Sequence, residues 1–205
     1  MVKPKADPEI VVSPANEASW EDLSAVLGQA VCFESRCFCQ RFRIRTRDWR
    51  SVTDEGRAAM LRDQTNCENP RATTTSGLVA YLGKEAVGWC GVGPRTGYPS
   101  LLGSRVPWAG RNEDKSDAGI WSITCFIVRV GHRRRGLTYV LAGAAVDYAR
   151  QNGARAVEAY AMITHPGEEI TWGELHVGSR NVFAAAGLTQ MTHPTKRRAV
   201  MRIDF

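Results

Sequence analysis

The chain has 205 residues, a hydrophobic content of 43% and a charged content of 23%. These values are typical of one globular domain with a full hydrophobic core and exclude a low-complexity or intrinsically disordered chain. The net charge of +6 favours anionic ligands, so a nucleotide cofactor, an acidic protein and nucleic acid are all compatible with it. No apolar run is long enough to span a membrane.

The first residues are polar and rich in proline, and they lack the apolar segment of a signal peptide. We therefore predict a flexible tail over residues 1–9, one domain over residues 10–205, and a cytoplasmic location. In that compartment the cysteines are expected to be reduced thiols. Cys37 and Cys39 are the only close pair, and no second close Cys or His pair accompanies them. A structural zinc site normally needs four ligands, so no metal is expected.

The first half of the chain alternates helical and strand-like patterns. A short strand is predicted at Ile10–Val12, and apolar residues at helical spacing predict a helix over residues 18–31. Thr53 is a plausible cap for a second helix. Two apolar runs, residues 78–82 and 86–90, flank a Gly-containing turn and predict a β-hairpin.

Residues 94–118 form a long connection rich in glycine, proline and charge. Long connections in compact domains are often functional, but a disordered, solvated loop fits the composition equally well. The sequence leaves both interpretations open.

The second half of the chain predicts a strand, helix and strand in series. Ile120 to Val128 is almost continuously apolar, which is typical of a central strand covered on both faces. A helix follows from Leu137 and is ended by Gly153, and a second strand spans residues 156–163. A short helix over residues 178–186 and a final strand pair, residues 188–191 and 199–205, complete the chain. The predicted fold class is α+β, with a mixed, mostly antiparallel central sheet flanked by helices.

The loop between the central strand and its helix has the chemistry of an anion site. It reads Val128-Arg129-Val130-Gly131-His132-Arg133-Arg134-Arg135-Gly136-Leu137-Thr138. Backbone N–H groups at a helix start are unpaired and carry the positive end of the helix dipole, so they bind phosphate. Gly136 lets the backbone approach an anion closely, and Arg133, Arg134 and Arg135 add charge. A basic surface turn is the simpler alternative, but the position between strand and helix argues against it.

This segment resembles the pyrophosphate loop of the GCN5-related N-acetyltransferases (GNAT), Arg/Gln-x-x-Gly-x-Gly/Ala after a strand ending in Val. Arg133 and Gly136 match the pattern, whereas Thr138 stands where the family usually has Gly or Ala. Residues 180–188 are similar to the family's second cofactor segment. The resemblance implies acetyl-CoA as co-substrate and transfer of its acetyl group to a primary amine, on a small molecule or a protein lysine. The amine attacks directly, so positioning supplies much of the catalysis.

The resemblance also implies roles for individual residues. The cofactor would be bound by the end of the central strand and by the loop, namely Phe126, Ile127, Val128, Arg133, Arg134, Arg135, Gly136, Leu137 and Thr138. The next strand would diverge and open a slot for the thioester. The family often uses a Tyr as the acid for the departing thiolate, but Phe183 occupies that position here. We therefore predict Tyr160 as the acid and Glu158, on the same strand face, as the base; His176 and Glu174 are weaker candidates.

Three functions fit the sequence. The first is an acetyl-CoA-dependent N-acetyltransferase, acting as a monomer or homodimer, whose acceptor site is shaped by residues 32–50 and 94–118. The second is a non-catalytic acyl-CoA-binding module, which the loss of Tyr at Phe183 favours. The third is nucleic-acid binding, which the net charge favours but no recognition motif supports.

Overall fold

The computed structural model of the protein describes residues 9–28, 30–32, 35–165 and 167–205. The predicted flexible tail, residues 1–9, lies outside the described residues except for Glu9. The strands in the described part are β1 (Ile10–Pro14), β2 (Val31–Cys32), β3 (Ser35–Arg36), β4 (Gly77–Leu82), β5 (Glu85–Pro94), β6 (Ile120–Val128), β7 (Ala156–Met162), β8 (Thr189–Thr195) and β9 (Arg198–Asp204). The α-helices are α1 (Trp20–Leu27), α2 (Asp54–Thr65), α3 (Pro99–Leu102), α4 (Leu137–Gln151), α5 (Trp172–Leu175) and α6 (Arg180–Ala185).

Seven strands form one sheet in the order β1-β4-β5-β6-β7-β9-β8. Only the pair β6–β7 is parallel, and α4 makes the crossover between these two strands. All the other neighbours in this sheet are antiparallel. The predicted fold class, a mixed and mostly antiparallel sheet flanked by helices, is therefore confirmed.

Alternation along the strands divides the core between the two faces of the sheet. On β4, Leu78 and Ala80 pack with the helix α4, and Leu141 of that helix is completely buried. The residue between them, Val79, packs on the other face with Leu23 of α1. Burying a side chain of this size contributes roughly 1.5–3 kcal/mol, so both helices are held to the sheet by their apolar faces.

Helix boundaries follow local capping. Asp22 N–H donates to the Ser19 hydroxyl at the start of α1, and Gly56 N–H donates to the Thr53 hydroxyl at the start of α2. The cap predicted at Thr53 is thereby confirmed. The helix predicted over residues 18–31 is too long, because α1 ends at Leu27 and the chain then enters the short strand β2.

The connection over residues 94–118 is ordered by tertiary contacts. It contains α3 and two 3-10 turns, Arg95–Gly97 and Val106–Trp108. Arg95 is completely buried, and the Trp108 indole N–H donates to Leu101 O at 2.9 Å. The interpretation as a disordered, solvated loop is wrong, because buried polar contacts hold this segment against the sheet.

Candidate active site

The loop between β6 and α4 has the backbone of an anion cradle. Arg134 and Gly136 have positive φ angles, 64° and 75°. Gly136 is the N-cap residue of α4, and no side chain caps this 15-residue helix. The N–H groups of Tyr139 and Val140 both donate to Gly136 O. None of the described residues accepts a hydrogen bond from the N–H groups of residues 133–138.

The side chains around these N–H groups suit a phosphate. Arg133, Arg134 and Arg135 are exposed, and Arg133 is drawn toward the strand because its Nε donates to Val128 O at 3.3 Å. A Cβ built on Gly136 meets no atom within 4 Å. The space above the glycine is therefore open, and unpaired donors at the positive end of the α4 dipole face it.

The strands β6 and β7 separate beyond their first residues. They pair in parallel from Ile120↔Ala156 to Ile123↔Ala159 and no further. On the other side of β6, Gly91 pairs with Cys125 and Val92 with Ile123, so Thr124 is an extra, bulged residue. A bulge bends its strand. The divergence predicted from the sequence is thus present, and Thr124 and Tyr160 are the first residues past the last pair.

The segment 175–178 contacts both strands in the gap that opens between them. His176 O accepts the N–H of Phe126 at 2.6 Å, and Gly178 O accepts the N–H of Met162 at 2.9 Å. Val128 lies two residues after Phe126, so its N–H points toward the same gap. Ile127 instead pairs with Trp89 of β5. Two of the three strand residues named from the sequence therefore direct backbone groups into the gap.

Phe183 lies in the core below this gap. It is completely buried, and its ring centroid is 5.8 Å from that of Phe126. A Cβ on Gly178 would lie within 3.0 Å of both rings. Phe183 is therefore a packing residue that supports the turn at Gly178.

Glu158 is completely buried and surrounded by arginines. Its carboxylate accepts from Arg95 Nη1 at 3.3 Å, from Arg111 Nη1 at 3.2 Å and from Arg202 Nη1 at 3.1 Å. Glu113 adds a second carboxylate, 2.7 Å from Arg111 Nη2. Both oxygens of Glu158 therefore already accept hydrogen bonds. The network joins β7 and β9 to the connection 94–118.

Tyr160 is buried at the point where the strands separate. Its hydroxyl lies 3.1 Å from the Ser122 hydroxyl and donates to Glu158 Oε2 at 3.2 Å. Burial, followed by the negative charge of Glu158, raises the pKa of Tyr160. The phenol therefore keeps its proton at neutral pH. The structure thus brings Tyr160 and Glu158 into direct contact.

His176 has more features of a proton acceptor than its sequence context indicated. Its Nδ1 lies 2.8 Å from Gly173 O, which places the proton on Nδ1. The other nitrogen, Nε2, is buried and has no hydrogen-bond partner among the described residues. Burial, followed by the positive charge of Arg41, lowers the pKa of His176 to about 4. The neutral ring therefore offers an unused lone pair, whereas the carboxylate of Glu174 is paired with Arg197 at 2.8 Å.

A second basic feature, which we call the arginine cleft, has a volume of about 1460 Å³. Its lining residues are Arg41, Phe42, Arg45, Thr46, Arg47, Trp49 and Arg50 on one side and Pro99, Ser100 and residues 102–104 on the other. Ser100 joins the two walls, since its N–H donates to Phe42 O and its hydroxyl to Ile44 O.

Phe42 connects the arginine cleft to the gap between the strands. Its ring stacks on His176 with a centroid distance of 6.0 Å, and His176 O is bonded to Phe126 in the gap. Phe42 also packs against the apolar cluster that contains Leu101 and Tyr160. The inner end of the cleft therefore abuts the residues predicted to surround the reacting groups.

Among the described residues, no group of three or more His, Cys, Asp or Glu side chains is placed to hold a metal ion. None of the helices in the described ranges is both long and apolar enough to cross a bilayer.

Comparison with known proteins gives one family. The sequence matches the acetyltransferase (GNAT) family over residues 41–167, whereas no protein of curated function matches it. The fold is similar to yncA of Salmonella typhimurium, solved with its cofactor acetyl-CoA, with a TM-score of 0.54, 13% identity and coverage of 95% of this chain and 93% of that chain.

Two further solved structures agree with this match. An N-acetyltransferase from Staphylococcus aureus Mu50 has a TM-score of 0.53 and 13% identity, over 96% of this chain and 98% of that chain. An acetyltransferase of the GNAT family from Streptococcus pneumoniae has a TM-score of 0.50 and 14% identity, over 96% and 99%. At such low identity these neighbours show the fold alone.

Proposed function

Because the chain belongs to the acetyltransferase (GNAT) family, we propose that it transfers the acetyl group of acetyl-CoA to a primary amine. The observation that carries this proposal is the cradle of unpaired N–H groups over residues 133–138. The proposal treats residues 10–205 as one acetyltransferase domain, since β1 and β9 belong to the same sheet. It includes a cytoplasmic location, which suits unbridged buried cysteines such as Cys90, and a monomeric or homodimeric state.

The cradle supports the binding of a pyrophosphate. The N–H groups of residues 133–138, including Gly136, Leu137 and Thr138, would hold its oxygens, and the guanidinium groups of Arg133, Arg134 and Arg135 would neutralise its charge. Phe126 and Val128 would hold the pantetheine arm through their backbone, with Ile127 keeping β6 aligned between them. When the arm binds, the Phe126 N–H would donate to the arm instead of to its present acceptor, His176 O.

When bound, acetyl-CoA supplies an acetyl group activated as a thioester. The chain's own residues then manage two protons. We propose that the Tyr160 hydroxyl, which is protonated at neutral pH, donates its proton to the departing thiolate. We propose that His176 Nε2 takes the proton of the amine, because it is the unpartnered acceptor beside the gap.

Glu158, the base named from the sequence, has a different proposed role. Its oxygens accept hydrogen bonds from three arginines and from the Tyr160 hydroxyl. It would act as a positioning residue, since it orients Tyr160 and holds the connection 94–118 in place. The arginine cleft is the proposed entrance for the acceptor, a small-molecule amine or a protein lysine, because Phe42 links it to the gap.

Two measurements test the proposal. Acetyl-CoA at millimolar concentration should raise the melting temperature, as any ligand specific for the native state does. A panel of amines and lysine peptides should release free thiol from acetyl-CoA. The absence of any thermal shift would reject the cofactor assignment.

A thermal shift without thiol release from any amine would favour a different function, a non-catalytic acyl-CoA-binding module. The buried, proton-free ring of Phe183 is the observation that favours this alternative.

A further inference from the structure

We propose that the acceptor is a small-molecule amine bearing a phosphate or carboxylate group, which the arginine cleft binds. This inference rests on the proposed function, because it names the substrate class of the same site. The observations that carry it are the charge of the cleft, the pairing state of Arg45 and Arg50, and the contact of the cleft with the gap between β6 and β7.

The charge of the arginine cleft is strongly one-sided. Its lining residues contain four arginines, Arg41, Arg45, Arg47 and Arg50, and no carboxylate. Asp48 forms an ion pair with one of them, at 3.6 Å from Arg47 Nε. Like charges gathered in one cleft repel each other, and an anionic ligand relieves that repulsion.

Arg45 and Arg50 of the cleft differ from those arginines of the protein that form ion pairs. Arg95, Arg129 and Arg155, for example, are each paired with a carboxylate. Arg45 and Arg50 are exposed, and no carboxylate of the described residues forms an ion pair with either. Planar guanidinium groups match the paired oxygens of carboxylate and phosphate, which is why arginine rather than lysine recognises these groups.

The cleft lies beside the proposed reacting groups, so an anion bound in it would belong to a substrate. Phe42 lines the cleft and stacks on His176, whose Nε2 is the proposed proton acceptor. A ligand whose anionic end is bound by Arg45 and Arg50 can therefore extend its amine along Phe42 toward that nitrogen. Trp49 adds an aromatic wall, and apolar walls with a few charged groups are typical of small-molecule sites.

The first test measures anion binding without catalysis. The probe is inorganic phosphate, added to protein saturated with CoA so that the cradle at residues 133–138 is occupied. Phosphate should raise the melting temperature of the wild type, and the double variant Arg45→Gln/Arg50→Gln should lose this shift. The matched control is Arg71→Gln, which removes an exposed arginine outside the cleft and should keep it. Equal shifts in all three proteins would overturn the inference.

The second test measures acceptor preference. Two matched pairs, O-phosphoethanolamine with ethanolamine and glycine with glycinamide, separate phosphate from carboxylate recognition. The charged member of at least one pair should have the lower KM. The double variant should raise that KM by roughly tenfold or more, as expected when charge-assisted hydrogen bonds are lost, and should raise the KM of the neutral member of the same pair by much less.

The outcomes separate the inference from the proposed function. Thiol release that is equal or faster with neutral amines, and insensitive to the double variant, would overturn the inference and leave the acetyltransferase proposal standing. A loss of CoA affinity in the double variant would show that the cleft binds the phosphates of the cofactor, which also overturns it. No CoA binding by the wild type would reject the proposed function, whereas the phosphate shift would still report on the cleft.

Discussion

Two segments of this protein are rich in arginine, and each contributes to a proposed anion site that is formed in a different way. Residues 133–135 lie between a strand and a helix, and the anion site proposed there is made by the backbone of consecutive residues. Residues 41–50 lie before α2 and include most of a 3-10 helix, Thr46–Ser51. Their cleft exists only because Pro99, Ser100 and residues 102–104 form its other wall. Arginine content alone therefore does not mark an anion site, because the surroundings of each guanidinium group depend on what folds against it.

We expect the largest effect at Glu158, because its buried ion-pair network holds the connection 94–118, which supplies one wall of the arginine cleft. Glu158→Gln removes the carboxylate that neutralises the fully buried Arg95 and the nearly buried Arg111. Leaving a buried charge uncompensated costs roughly 3–5 kcal/mol, and urea unfolding should show a loss of this size.

The control is Glu113→Gln, whose side chain is 32% exposed and whose loss should cost less. CoA affinity, which belongs to the cradle, should change little in either variant. Unchanged stability together with a large loss of kcat would instead support Glu158 as the general base.

His176, which contacts Phe42 between the cleft and the gap, predicts a pH dependence of stability. The pKa of His176 is about 4 in the folded protein and about 6.5 in an unfolded chain. Between these values the unfolded chain binds more protons, so the free energy of unfolding should fall as the pH drops from about 6.5 to about 4, by up to about 3 kcal/mol. Above that window His176 should contribute no slope.

Unfolding curves of His176→Asn across pH 4 to 7 should lack this contribution. His165→Asn, which removes an exposed histidine, should retain it. Parallel pH profiles for wild type and His176→Asn would mean that the ring is not buried in its neutral form.

The cradle should respond to a backbone change that leaves the acceptor side intact. Gly136→Val forces a β-branched residue into a positive φ angle and fills the open space above the glycine. Such strain costs about 1–3 kcal/mol of stability. Because the valine side chain would also occupy the space proposed for the phosphate, CoA affinity, measured by calorimetry, should fall by about tenfold or more.

Gly153→Val is a matched control for this change. Gly153 also has a positive φ angle and open space above it, but it follows the C-terminal end of α4. Its variant should show the strain in stability and keep the affinity for CoA. Equal losses of affinity in both variants would place the phosphates elsewhere.

The smallest effect is expected where the two regions meet. Tyr160→Phe should lower kcat by at least about tenfold, the low end for general acid catalysis, because the hydroxyl would act as charge develops on sulfur. CoA affinity should be unchanged. Tyr81→Phe is the control, since its hydroxyl also bonds a carboxylate, Asp22, at 3.1 Å but lies on β4. Wild-type turnover by Tyr160→Phe would leave positioning as the source of catalysis.

Sequence reasoning succeeded where structure is set by neighbouring residues. The strand Ile120–Val128, the start of α4 at Leu137 and the cap at Thr53 all agree with the structure to the residue. The prediction was wrong at Val31, which continues the helical pattern of α1 but belongs to the short strand β2, because pairing with β3 overrides that pattern. The strand β8 is longer than the predicted run of residues 188–191, because pairing with β9 extends it to Thr195, whereas β9 differs from the predicted residues 199–205 by one position at each end.

The sequence by itself therefore determined the mixed sheet and the position of the loop that we propose as an anion site. Periodicity, glycine placement and helix ends all act over a few residues, so they can be interpreted in order along the chain. Only the tertiary structure decided the arrangement of residues around the proposed acceptor site. Arg95 meets Glu158 across 63 positions, and His176 faces Phe42 from another part of the chain. Such contacts arise from side-chain burial and charge pairing between distant segments, for which a linear pattern has no signal.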